Sequence, residues 1–181
     1  MAKPYPEINE ALQEFIQAQF VFFVATAPLD AAGHVNLSPK GLDTFRILGP
    51  RTVAYLDLIG SGIETIAHLR ENGRIGLMFC AFQGAPKILR LHGQGRAVEP
   101  HEPEFLKLQA QFPVHEGTRA IIVVEVARIS DSCGYGVPLL KFEAERAELP
   151  AWSRKRGAEG LKIYRQEKNR QSIDGLPGVA E

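Results

Sequence analysis

The spacing of apolar and polar residues changes several times along the chain, and each change marks an element. After Pro6, Ile8, Ala11, Leu12, Phe15 and Ile16 recur at helical spacing and give a helix one apolar face. Residues 20–27 form a dense apolar run, too short and too rich in Val and Phe for a second helix, which predicts a buried strand. A turn over residues 28–33 follows. Residues 34–38 then alternate, with Val35 and Leu37 on one face and His34, Asn36 and Ser38 on the other, as in a half-buried strand.

Residues 52–58 read as the next strand. Ser61-Gly62-Ile63-Glu64 has the spacing of a capping box opening a helix over residues 62–72, with Gly73 suited to a left-handed C-terminal position. A strand is expected over 74–81. A turn at Gln83-Gly84-Ala85-Pro86 leads to a long strand over 88–99, where Gly93 and Gly95 suggest a bulge or bend. Phe105, Leu106, Leu108 and Phe112 form a helical stripe within 101–112. Residues 119–129 are the most strand-like stretch, and Ile121-Ile122-Val123-Val124, apolar on both faces, places it centrally in a sheet. Residues 132–138 are loop-like, and the chain from Pro150 to about Ser172 is polar, charged and helix-prone. About six strands with connections too short for parallel crossovers predict a mainly β fold: a small antiparallel barrel with peripheral helices.

Composition narrows the function classes. A chain of 181 residues fits one domain with an appendage. Its 21 Lys and Arg balance 21 Asp and Glu, which argues against a nucleic-acid coat or a polybasic membrane anchor. No apolar run approaches the ~20 residues of a membrane helix, and the first residues have no signal-peptide pattern, so a cytoplasmic location is expected. Cys80 and Cys133 form no Cys-x-x-Cys pair and are expected as free thiols. The histidines at 34, 68, 92, 101 and 115 lack metal-ligand spacing, so no metal is expected. There is no Gly-x-Ser-x-Gly elbow and no Walker lysine, and Gly93-x-Gly95 lacks the rest of a dinucleotide fingerprint.

Two segments point to an anionic ligand. In Asn36-Leu37-Ser38-Pro39-Lys40-Gly41, Ser38 and Lys40 share a side of the strand and offer a hydroxyl and a point charge; an ordinary exposed strand end reads the same way. Ser61, flanked by glycines at a helix start, offers backbone amides and the positive end of a helix dipole, or is simply a cap. Tyr55, Leu56 and Asp57 lie on the strand between them, where a planar heterocycle or plain core fits equally.

The order of these segments resembles the pyridoxamine 5'-phosphate oxidase-like family of FMN-binding split barrels. The resemblance runs over about residues 8–138 and rests on Asn36-Leu37-Ser38-Pro39-Lys40-Gly41 followed by Glu64-Thr65-Ile66-Ala67-His68-Leu69-Arg70-Glu71-Asn72. It implies a six-stranded antiparallel split β-barrel over residues 1–140, with a helical extension over 141–181 packing on the barrel or on a partner subunit. It further implies a homodimer with FMN at the subunit interface. Carried over by position, Asn36, Ser38 and Lys40 hold or neighbour the phosphate. Tyr55, Leu56 and Asp57 run along the ring or ribityl chain, Ser61 and Thr65 contact phosphate, and Arg90 lines the flavin.

The oxidase proper has an arginine where Val35 stands and basic residues where Ser61 and Gly62 stand, and its C-terminal pattern is absent after residue 138. The expectation is therefore an FMN-dependent oxidoreductase acting on a small molecule or a reduced nicotinamide, not the oxidase itself. The alternatives are a non-catalytic flavin-binding protein for storage, sensing or regulation, or a barrel holding deazaflavin or haem.

Overall fold

Among the described residues, seven strands, not six, form one antiparallel sheet. The structure is a computed structural model and describes residues 4–179. The strands are β1 (Phe22–Thr26), β2 (Asn36–Lys40), β3 (Phe45–Gly49), β4 (Thr52–Leu58), β5 (Arg74–Cys80), β6 (Ile88–Val98) and β7 (Thr118–Ser132), and they lie in the sheet in the order β2-β1-β5-β6-β7-β4-β3. The described residues also form four helices: α1 (Glu10–Gln17), α2 (Glu64–Asn72), α3 (Phe105–Gln109) and α4 (Glu148–Lys168).

The additional strand is β3, which pairs with β4 from Phe45↔Tyr55 to Gly49↔Thr52. It and β2 are the sheet's two ends and are not paired to each other, so the barrel is split there. Leu42 and Asp43, both at positive φ, turn the chain between them. Side chains close what backbone hydrogen bonds leave open. Phe22 of β1 meets Phe45 of β3 edge-on with ring centroids 5.1 Å apart, and Tyr55 and Phe79 complete the cluster.

β7 lies between β6 and β4, the central place its doubly apolar run predicts. The β6–β7 register shifts between His92 and Gly93. A Cβ at Gly93 would stand 2.1 Å from the Glu125 carbonyl oxygen, so the bulge requires a residue without a side chain. Gly73 ends α2 at φ 70, as expected. Two cores result. One fills the barrel, with Val24, Val53, Tyr55, Leu77, Leu91 and Ile122 among its members. The other, with Leu56, Val98, Phe105, Ile121 and Val123, lies on the opposite face under α3.

Three sequence expectations need correction besides the strand count. The helix expected over 101–112 is confined to Phe105–Gln109, and Leu106 is exposed. The Ser61 capping box does not form. Ile63 is the N-cap of α2 without a side-chain bond, and Glu64 instead accepts a hydrogen bond from Ile173 N. Finally, the faces of β2 are the reverse of its hydropathy: Val35 is 73% and Leu37 65% exposed, while Asn36, Ser38 and Lys40 are half-buried. The polar side chains turn inwards because their partners, Thr26, Thr65 and Asp57, lie there.

The C-terminal region contacts the barrel at separate points. Phe142 stacks on Phe20 at 3.7 Å. α4 is interrupted at Gly157 and leads to Asn169, whose side-chain amide donates to Gly60 O at 2.9 Å. No helix among the described residues is long and apolar enough to cross a membrane.

Candidate functional site

The inward face of β2 joins a continuous polar cluster inside the split end of the barrel. Asn36 Nδ2 donates to Thr26 Oγ1 at 3.1 Å and to Thr65 Oγ1 at 3.0 Å, and its carbonyl accepts from Ser38 Oγ at 2.8 Å. Thr26 Oγ1 also pairs with His68 Nδ1 at 3.0 Å. Lys40 Nζ donates to Asp57 Oδ1 at 3.2 Å, and Arg119 Nε donates to Asp57 Oδ2 at 2.6 Å. Arg119 Nη1 reaches on to Gly62 O at 2.7 Å. The β2 strand, the Gly60–Gly62 loop and the first turn of α2 therefore meet in one place.

Asp57 is fully buried between two cations. Burial alone would raise its carboxyl, but Arg119 and then Lys40 outweigh burial and hold it below the ordinary carboxylate value. Its ion pairs thus contribute stability that is present above about pH 4, the ordinary unfolded value. That stability is lost as pH falls through the lower folded value. Acid titration followed by circular dichroism should show the wild type losing stability over that window, and Asp57→Asn losing the dependence that this carboxyl supplies. Two cations share one carboxylate, so the triad carries a net positive charge, and the Lys40 side chain remains 19% exposed.

Burial pushes the Tyr55 phenol well above its ordinary value, with Asp57 adding to the effect against the pull of Arg119 and of the Thr65 hydroxyl beside it. His68 Nε2 and Asn169 Oδ1 are buried without hydrogen-bond partners among the described residues. Burial lowers His68 against the pull of Glu64, Asp174 and Glu71. An orphaned buried polar atom is costly, and buried groups of this kind are ordinarily satisfied by water or a bound ligand.

The other expected residues are placed differently. Leu56 lies in the second core and faces away from Lys40. Ser61 is exposed, and only its backbone carbonyl meets Asn169. Arg90 sits on β6 opposite Met78 and Ser130 and donates to Ser132 Oγ at 2.9 Å, several strands from Lys40. Arg119 was not among the expected residues, although an arginine opening an otherwise apolar strand signals a buried carboxylate partner.

A cleft of about 630 Å³ opens between α1, the start of β1 and β3. Phe20, Phe22, Phe45 and Phe142 line it with Gly41, the neighbour of Lys40. Phe22 and Lys40 are register partners, so the aromatic cleft and the cationic cluster adjoin. This combination suits a ligand with a planar ring system and an anionic tail.

A family profile described as pyridoxamine 5'-phosphate oxidase matches residues 8–133. A pyridoxamine 5'-phosphate oxidase family protein of Aspergillus flavus, ustO, is 37% identical over 97% of this chain and 77% of its own length. Among solved structures, a candidate pyridoxamine 5'-phosphate oxidase from Lactobacillus delbrueckii superposes with a TM-score of 0.55 at 15% identity, covering 71% of this chain and 98% of that one. HupZ of Group A Streptococcus gives 0.53 at 22% identity, over 69% of this chain and 99% of that one. These two show a shared split-barrel fold.

Proposed function

The chain belongs to the pyridoxamine 5'-phosphate oxidase family, and from that premise we propose that it binds FMN and works as a flavin-dependent oxidoreductase on a small molecule. The observation that carries this reading is the inward polar face of β2: a net-positive Lys40–Asp57–Arg119 triad adjoining an aromatic cleft. Lys40, with the Ser38 and Thr65 hydroxyls, would hold the phosphate. The Tyr55 phenol and the Asn36 amide have polar atoms to offer the ribityl chain. FMN supplies the two-electron chemistry when bound; the chain supplies position, charge and exclusion of water.

A homodimer belongs to the same proposal. Val35 and Leu37 put an apolar surface on the outside of an edge strand, which a second copy of the chain would cover. The groove between two such copies would complete the flavin site. A cytoplasmic location is compatible with free cysteines at 80 and 133.

The test is an absorbance spectrum of the purified protein, with mass analysis of any cofactor it releases. Flavin bands identified as FMN support the reading; a haem Soret band or a deazaflavin overturns it. Bleaching by a reduced nicotinamide, followed by reoxidation, separates an enzyme from a flavin store. Lys40→Ala removes one charge-assisted hydrogen bond, so FMN affinity measured by fluorescence quenching should fall by about 10- to 100-fold. Lys40→Arg should recover part of it. Unchanged affinity in Lys40→Ala would remove Lys40 from the site.

A further inference from the structure

We propose that the cleft between α4 and the turn after β6 binds a phosphate-bearing small molecule, with Arg165 as its anchor. This cleft shares no lining residue with the Lys40–Asp57–Arg119 triad, and the proposal does not rest on the FMN reading.

Beyond its break at Gly157, α4 lays one face on the body of the protein. Leu161 and Asn169 stand on that face, 3% and 0% exposed. The position between them, at helical spacing from both, is Arg165, and it is half-buried. A packed helix face ordinarily carries an apolar residue there. Here the apolar neighbour Ile163 is 45% exposed and the cation is turned in. A carboxylate facing it would account for the inversion, yet Arg165 has no ion pair or side-chain hydrogen bond among the described residues.

What Arg165 lines instead is a cleft of about 460 Å³. Lys162 and Gln166 line it from the same helix, and Arg170 and His101 line it from the segments on either side. Lys162 is exposed and, like Arg165, makes no ion pair among the described residues. Glu99 is the cleft's one carboxylate; it is 5% exposed and pairs with Arg70 of α2. Glu102 accepts from Glu99 N at 2.7 Å and does not line the cleft. In a chain of zero formal charge, three cations therefore meet on one cleft against a carboxylate that another arginine already holds. The negative end of α4 favours cations in its last turn, where Arg165 and Lys168 lie, but that does not account for Lys162, a turn earlier.

These groups define the ligand. A guanidinium offers a fork of donors that matches phosphate oxygens, the ammonium adds a point charge, and the Gln166 amide adds a neutral donor. Pro100 and Val179 give the cleft apolar walls for an uncharged body. A bounded cleft of this volume on a neutral chain fits a small molecule better than a nucleic acid or a membrane surface.

The test is calorimetric titration of the full chain with phenyl phosphate at fixed ionic strength, with phenol as the uncharged control. The wild type should bind phenyl phosphate saturably and phenol not measurably. Arg165→Met, which keeps the stem and removes the charge, should weaken binding by about 10- to 100-fold, and Lys162→Ala by about 2- to 5-fold. Without ligand, Arg165→Met should melt no lower than the wild type. If Arg165→Met does not fold, the exposed Lys162 decides alone, and unchanged affinity in Lys162→Ala overturns the site. Absence of saturable binding, or equal affinity in Arg165→Met, overturns it as well. Lys40→Ala separates the two sites: one binding event should survive in that variant. Loss of all phenyl phosphate binding in Lys40→Ala would overturn this site while supporting the phosphate assignment of the FMN reading.

Discussion

Replacing Asp57 with Ala should lower the free energy of unfolding by about 3–5 kcal/mol, because it leaves charges buried without a partner. Asp57 and Arg119 are 0% and 4% exposed, and their ion pair is 2.6 Å long. Without the carboxylate, Arg119 keeps only backbone carbonyls at Gly60 and Gly62, and a guanidinium cannot shed its proton to escape. Lys40, by contrast, is partly solvated and can turn to water. Urea denaturation of the wild type and Asp57→Ala measures the difference. The double variant Asp57→Leu/Arg119→Met, which removes both charges, should recover much of the loss. A change below about 1 kcal/mol in Asp57→Ala would mean that water reaches the pair, as it does in surface ion pairs.

Gly93→Ala should cost about 3 kcal/mol, the upper range for overpacking. The added methyl would meet the backbone of Glu125 at 2.1 Å for the oxygen and 2.9 Å for the carbon. No rotamer relieves a clash between two main chains, so β6 and β7 must separate at the bulge. The same substitution at Gly136, where nothing lies within 4 Å, should change stability by less than about 0.5 kcal/mol. Thermal unfolding of the two variants side by side checks both expectations. Nearly equal melting temperatures would show that the bulge is loose enough to absorb a side chain.

What the sequence made legible follows from where the information resides. β7 and β6 were readable because a doubly apolar run and interior glycines are local signals that the fold retained. β3 was not, because Phe45-Arg46-Ile47-Leu48-Gly49 has no clean alternation and owes its strand form to Tyr55, Ala54 and Val53 across the ladder. The orientation of β2 was hidden for a related reason. Alternation divides Val35 and Leu37 from Asn36 and Ser38, but only the distant Thr65 and Asp57 decide that the polar set turns inwards.

The candidate site divides the same way. Ser38 and Lys40 were visible as a hydroxyl and a cation on one side of a strand, and Thr65 through the family resemblance; in the structure Asn36 joins Ser38 to Thr65, and Lys40 meets Asp57. Ser61 failed as a cap because Glu64 turned to the tail instead. The tail itself was opaque. Residues 169–179 carry no hydrophobic period, and Asp174 reaches His34 across most of the chain.

The most direct test of the central claim is a crystal structure of the protein grown with FMN. Phosphate oxygens are expected within about 3 Å of Lys40 Nζ or Ser38 Oγ, close to the first turn of α2. A flavin bound elsewhere, with the Lys40–Asp57 contact intact, would contradict the assignment.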